Sequence, residues 1–212
     1  MCVLRMHPGV TWDSNIAWVS ADDRSTLATF EDIFRRLRLP ERFASVIPHH
    51  EAPRLYSAFY VTRSWCKSHN FHSDYFPNVG THAMTLITPL RDYAETDSFQ
   101  LTYCAHDADG MVTQADGKSP ELRRYVYRKG KAIVFSSKFQ HSTEPGGGRD
   151  GEAHGYLCFT FGTDDQARWA DIAQTLDTQS RVVVHPDGEM RLSGLGNAIE
   201  EALRDFEAPG DE

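Results

Sequence analysis

No run of apolar residues in this 212-residue chain approaches the roughly 18–20 needed to cross a bilayer as a helix. The opening stretch MCVLRMHPGVTW has too short an apolar segment for a secretory signal and no small-residue cleavage site, so a cytoplasmic location without a membrane partner is expected. Positive charge is also in short supply. The 22 Lys and Arg against 30 Asp and Glu leave a formal charge of −8, and Arg35-Arg36, Arg123-Arg124 and Lys129–Lys131 sit among acidic residues. Nucleic acid, which needs a basic surface to neutralise phosphate, is therefore not expected as a partner. Cysteine is scarce and scattered (Cys2, Cys66, Cys104, Cys158), with no CxxC pair, which excludes a zinc ribbon or a thioredoxin-type site. Cys104 and Cys158 lie in apolar runs, as buried reduced thiols do. Internal repeats, low-complexity tracts and linkers are absent, so one domain over 1–212 is expected.

What is present is an ordinary globular balance, 40% hydrophobic and 25% charged, in a chain long enough to bury a sizeable core. The first twenty residues read as extended, with Val10, Trp12, Ile16, Trp18 and Val19 available for packing. Leu27, Phe30, Ile33, Phe34 and Leu37 then recur at helical spacing, with Asp23 or Ser25 as cap and Pro40 as terminator. From Arg54 the pattern changes. RLYSAFYVTRSW, THAMTLITPL, SFQLTYCA, RRYVYRK, KAIVFSS and HGYLCFTFG are short segments rich in Val, Ile, Thr, Tyr and Phe, separated by polar loops. They predict a strand-built sandwich or barrel over about 54–162. The region 1–53 precedes this β core. The segment 163–212 follows it as a helix, a hairpin turning at Pro186-Asp187-Gly188, and a closing amphipathic helix. The fold class is mainly β with flanking helices (α+β).

Three His-x-acid triplets occur: His49/Glu51, His72/Asp74 and His185/Asp187. The last is explained by its turn, and the first lies in a loop between Pro48 and Pro53. His72 and Asp74 differ, because residues two apart on an extended segment share one face. Closure of a barrel would bring a third ligand, His141, back beside them from RKGKAIVFSSKFQHSTEPGGG. Two imidazoles and one carboxylate leave three positions of an octahedral ion open, the ligand set of non-haem Fe(II) oxygenases. Zinc would instead take three such ligands and one water as a tetrahedron.

At these residues the sequence resembles the Fe(II)/2-oxoglutarate-dependent dioxygenases, in particular their prolyl-hydroxylase-like branch. AFYVTRSWCKSHNFHSDY resembles that branch's tyrosine-bearing strand leading into HxD. HAMTLITPLRDYAETDSFQLTY is similar to its following strand, loop and small β segment, and RKGKAIVFSSKFQHSTEPGGG to its turn, apolar strand and distal histidine. The resemblance runs from about Arg54 to Gly162. It implies a double-stranded β-helix (jelly-roll/cupin-like) core, with His72, Asp74 and His141 as both metal ligands and catalytic residues. It also implies Fe(II), O2 and 2-oxoglutarate as cofactors and co-substrates, and a small-molecule or peptide substrate oxidised at a C–H bond. Asp74 favours hydroxylation over halogenation, since related halogenases carry a small residue there.

Tyr60 would line the 2-oxoglutarate pocket, and Thr85 and Thr160 could add hydroxyl contacts. The family's carboxylate anchor is an arginine at the head of the last core strand, where this chain has His154 or Gly155. Arg149, eight residues past His141, is the leading substitute; Lys131, Arg63 and Arg91 are the other basic candidates. Trp65 and Tyr75 flank the HxD as candidates to shape a substrate mouth. The 106–123 loop has Asp-Gly turns that resemble calcium-loop chemistry, but no twelfth-position glutamate or flanking helices, so calcium is not expected. Two alternatives stay open: a cupin-like metal enzyme that needs no 2-oxoglutarate, and a binding β-helix without catalysis.

Overall fold

The computed structural model describes residues 2–5, 14–94, 97–107 and 109–207; Val10 and Trp12 lie outside them. In chain order the elements are β1 (Cys2–Arg5), β2 (Ser14–Ser20), α1 (Arg24–Arg36), α2 (Leu39–Phe43), β3 (Arg54–Cys66), β4 (Ala83–Pro89), β5 (Leu101–Cys104) and β6 (Leu122–Tyr125). They continue with β7 (Ile133–Phe135), β8 (His141–Thr143), β9 (Gly146–Gly147), β10 (His154–Gly162), α3 (Trp169–Leu176), β11 (Val182–Val184), β12 (Met190–Leu192) and α4 (Gly194–Glu207).

The larger sheet runs β1-β2-β3-β10-β4-β7, with β9 added at the end of β3; the smaller runs β6-β5-β8. His72 joins β8 through a bridge to His141. From β3 the chain passes to the smaller sheet at His72 and returns at β4. It crosses again at β5 and β6, comes back at β7, crosses at β8 and returns at β10. This winding between two antiparallel sheets is a double-stranded β-helix, in which strands remote in sequence become neighbours, such as β3 beside β10.

Side-chain alternation along β3 and β10 divides two apolar clusters. Phe59, Val61, Tyr156 and Cys158 turn inward and meet Leu101 and Tyr127 between the sheets. Ala58, Tyr60, Phe159 and Phe161 turn outward and meet Leu27, Phe30 and Phe34 of α1. That helix begins where Asp23 accepts the Thr26 N–H at 2.8 Å, so Asp23 rather than Ser25 is the cap. Pro40 does not end α1. The helix stops at Leu37, Arg38 turns in the left-handed region (φ 54°), and Pro40 sits in the first turn of α2, where a missing N–H costs nothing. The closing hairpin forms as its turn sequence dictates, with Val184 opposite Met190.

Candidate metal centre

His72 and His141 exchange both backbone hydrogen bonds of an antiparallel pair, at 3.0 and 2.9 Å. Their imidazoles therefore leave one face of the smaller sheet, with ring centroids 4.6 Å apart. Asp74 follows two residues on, and its Oδ1 lies 3.7 Å from His72 Nε2 and 3.6 Å from His141 Nε2. One ligand atom from each residue falls within 4.8 Å of the others, which is the spacing of donors around a common ion. Among the described residues no other group of three His, Cys, Asp or Glu does this.

The surrounding hydrogen bonds select the ligating atoms. His72 Nδ1 lies 2.8 Å from the Asn70 carbonyl and His141 Nδ1 3.1 Å from that of Phe139. A carbonyl only accepts, so each Nδ1 carries a proton, and Nε2 is the ring atom turned toward Asp74. Burial, the largest influence, pushes His141 below the ordinary histidine range, against the opposing pull of the Asp74 carboxylate. The neutral ring is the form that binds a metal. Thr85 Oγ1 donates to Asp74 Oδ2 at 2.7 Å, and Thr175 Oγ1 donates to the Asp74 backbone carbonyl. The carboxylate is thus fixed by one oxygen and offers the other. Side-chain exposure falls from 51% at His72 to 12% at Asp74 and 6% at His141, so the cluster is open on the His72 side.

That side faces a cavity of about 880 Å³ lined by His72, Asp74 and Tyr75, by Trp18 and Arg63 of the larger sheet, and by Gln174 and Gln179 from α3 and the turn after it. The α3 contribution has no motif; its only sequence signal is the polar face of an amphipathic helix whose other face buries Ile172 and Leu176.

The other expected site residues are dispersed. Thr85 reaches the cluster through Asp74. Tyr60 faces α1, with its ring 5.6 Å from Phe30; inward positions on β3 belong to its neighbours Phe59 and Val61, so parity removes it from the cavity. Thr160 is fully buried and donates to the Ser57 carbonyl at 3.2 Å. Lys131 is exposed, and its carbonyl accepts from Thr88. Arg149 is exposed beside the short 3-10 turn it begins and pairs with Asp97 at 3.1 Å, while the glycines before it are held to the end of β3, Gly146 opposite Cys66 and Gly147 opposite Trp65. Arg91 pairs with Glu152. None of Tyr60, Thr160, Lys131, Arg149 and Arg91 lines the cavity, and Arg63 does. Trp65 is partly exposed on β3, and Tyr75 is buried in the cavity wall. Cys66, Cys104 and Cys158 are buried free thiols.

Fold and site together define a double-stranded β-helix protein with a two-histidine, one-carboxylate cluster at the mouth of its barrel. No family model matches the chain, and no curated protein does. Its structure is similar to those of Fe(II)/2-oxoglutarate oxygenases. A prolyl-4-hydroxylase from Pseudomonas putida aligns over 74% of this chain and 77% of its own, at 15% identity and a TM-score of 0.48. HygX from Streptomyces hygroscopicus, with nickel and 2-oxoglutarate bound, aligns over 74% and 72%, at 14% identity and a TM-score of 0.49. An oxidoreductase of the 2OG-Fe(II) oxygenase family from Burkholderia pseudomallei aligns over 69% and 66%, at 12% identity and a TM-score of 0.45. Among the described residues no helix is long and apolar enough to cross a membrane.

Proposed function

We propose that this chain is a non-haem oxygenase that uses Fe(II), 2-oxoglutarate and O2 to oxidise a C–H bond of a small molecule or a peptidyl residue, with release of succinate and CO2. The observation that carries the reading is the convergence of His72 Nε2, His141 Nε2 and Asp74 Oδ1 on one point, from a bridged strand pair that cannot easily splay. The donor set fits iron: two imidazoles whose Nδ1 atoms are held by backbone carbonyls, and one carboxylate with its free oxygen facing their Nε2 atoms. Bound there with the 2-oxo acid and dioxygen, iron supplies the oxidant for C–H cleavage.

The residues of the chain supply position and shelter. Thr85 holds Asp74 so that one oxygen stays available. Phe135 and Phe139 pack against His141, with centroids 4.6 and 5.5 Å away, and keep water from its inner side. The cavity offers hydroxyl and amide groups from Ser73, Gln174, Thr178 and Gln179, which suit a substrate bearing several hydrogen-bonding groups.

The test is purification under argon, loading with Fe(II), and mass-spectrometric detection of succinate after addition of 2-oxoglutarate and air. Succinate is expected only when all three are present, and not with Asp74→Ala. Iron binding without any succinate, with candidate substrates supplied, would leave a metal enzyme that does not use 2-oxoglutarate.

A further inference from the structure

We propose that Arg63, together with the indole N–H of Trp18, forms a carboxylate subsite in the cavity and takes the far carboxylate of 2-oxoglutarate. The assignment rests on the co-substrate proposed for the metal centre. Arg63 lies on β3 at the parity of Phe59 and Val61, so its side chain enters the space between the sheets. It lines the same cavity as His72 and Asp74, and it is the only Lys or Arg among the described residues that does.

Other arginines of the chain are held by acids: Arg54 by Glu51, Arg91 by Glu152, Arg123 by Glu121 and Arg149 by Asp97. Arg63 is half-buried, and among the described residues no hydrogen bond or ion pair meets its guanidinium. A desolvated cation without a partner is costly, and a planar guanidinium is built to receive two carboxylate oxygens at once.

Two further observations converge on the same place. Trp18 is the cross-strand partner of Val61, which puts it on the face of Arg63 one step along the strands. It also lines the cavity, its ring stacks on Phe59 at 4.9 Å, and its buried Nε1 has no hydrogen-bond partner. The strand on the other side of Arg63 brings no competing charge. His154, the β10 partner of Arg63, is buried and stacked on Tyr93 at 3.8 Å, and burial lowers its pKa, so it stays neutral. The inward residues after it are Tyr156 and Cys158. A guanidinium on β3 therefore stands beside the position where the last core strand offers no cation.

The test compares two ligands on the Ni(II)-loaded protein by titration calorimetry: 2-oxoglutarate, and 2-oxopentanoate, which keeps the metal-binding end and lacks the far carboxylate. Wild type is expected to prefer 2-oxoglutarate by roughly 100-fold or more, the scale of losing one partner of a buried charge pair. Arg63→Ala and Arg63→Gln should abolish that preference while leaving 2-oxopentanoate and Ni(II) binding unchanged; the glutamine variant keeps a polar chain of similar reach should alanine unfold. Trp18→Phe should weaken 2-oxoglutarate about tenfold. Folded Arg63 variants that retain the wild-type preference would overturn the subsite and leave the co-substrate intact. Wild type that binds Ni(II) but holds the two acids equally, or neither, would overturn the use of 2-oxoglutarate and the subsite with it.

Discussion

Thr85 shows how much of this site rests on single atoms. Its hydroxyl donates to Asp74 Oδ2 at 2.7 Å, which leaves Oδ1 facing the two imidazoles. Thr85→Val keeps the branched shape and removes that donor. Ni(II) affinity is expected to fall about 10–100-fold, the usual cost of losing a hydrogen bond that orients a ligand, while the melting temperature stays near wild type. Unchanged affinity by calorimetry would show that Asp74 orients itself. His72→Ala is expected to abolish stable metal binding without unfolding the chain, because a side chain 51% exposed contributes little to the core. Loss of the circular-dichroism spectrum in that variant would contradict a ligand-only role.

At the scale of elements, the helix and loop that flank the barrel support it from outside. Phe34 of α1 is 3% exposed and packs on Phe159 and Phe161 of β10, at 6.1 and 5.3 Å. Phe34→Ala is expected to cost about 3–5 kcal/mol in urea unfolding, a cavity penalty, with metal affinity retained because the cluster sits on the opposite face of that strand. Asp164, just after β10, accepts the backbone N–H groups of His50, Glu51 and Ala52 at 2.7, 2.7 and 3.3 Å. Burial would raise its pKa, but the three donors outweigh it and hold the carboxyl below the ordinary range. A depressed folded-state pKa contributes stability above about pH 4, and that stability is lost as pH falls through the lowered value. Asp164→Ala should therefore cost about 1 kcal/mol at pH 7, discounted for partial exposure. The gap to wild type should close in acid; a gap constant from pH 7 to pH 2 would assign the loss to packing instead.

For the whole molecule, the winding of the chain between two sheets makes the metal centre a product of closure. His72 and His141 lie 69 residues apart and meet only because β8 folds back beside the segment that follows β3. A metal that binds this arrangement and not the unfolded chain must stabilise the fold. At a free Ni(II) concentration of 100 times Kd the gain is about 2.7 kcal/mol, or roughly 5–11 °C in melting temperature. Scanning calorimetry with and without chelator checks it. Asp74→Ala should lose the shift, and a shift that survives in that variant would place the stabilising ion elsewhere.

The strands were legible because their pattern is local. HGYLCFTFG became β10 from His154 to Gly162, and the Asp23 cap and the Pro-Asp-Gly hairpin follow from residues close in the chain. The convergence of His72, Asp74 and His141 was legible as well, since two of them share one short motif and the third begins an apolar strand's return. What local pattern does not contain is parity across a closed barrel and the direction in which a loop folds. Tyr60 and Arg63 both lie on β3, and only strand pairing decides that the first meets α1 and the second meets the cavity. Arg149 is the first Lys or Arg after His141 in the chain, yet its guanidinium pairs with Asp97, 52 residues before it, and does not line the cavity. Local pattern determined the elements and marked His72, Asp74 and His141 as candidate ligands. Tertiary structure alone decided which charge faces the ligand, because that depends on which strands become neighbours.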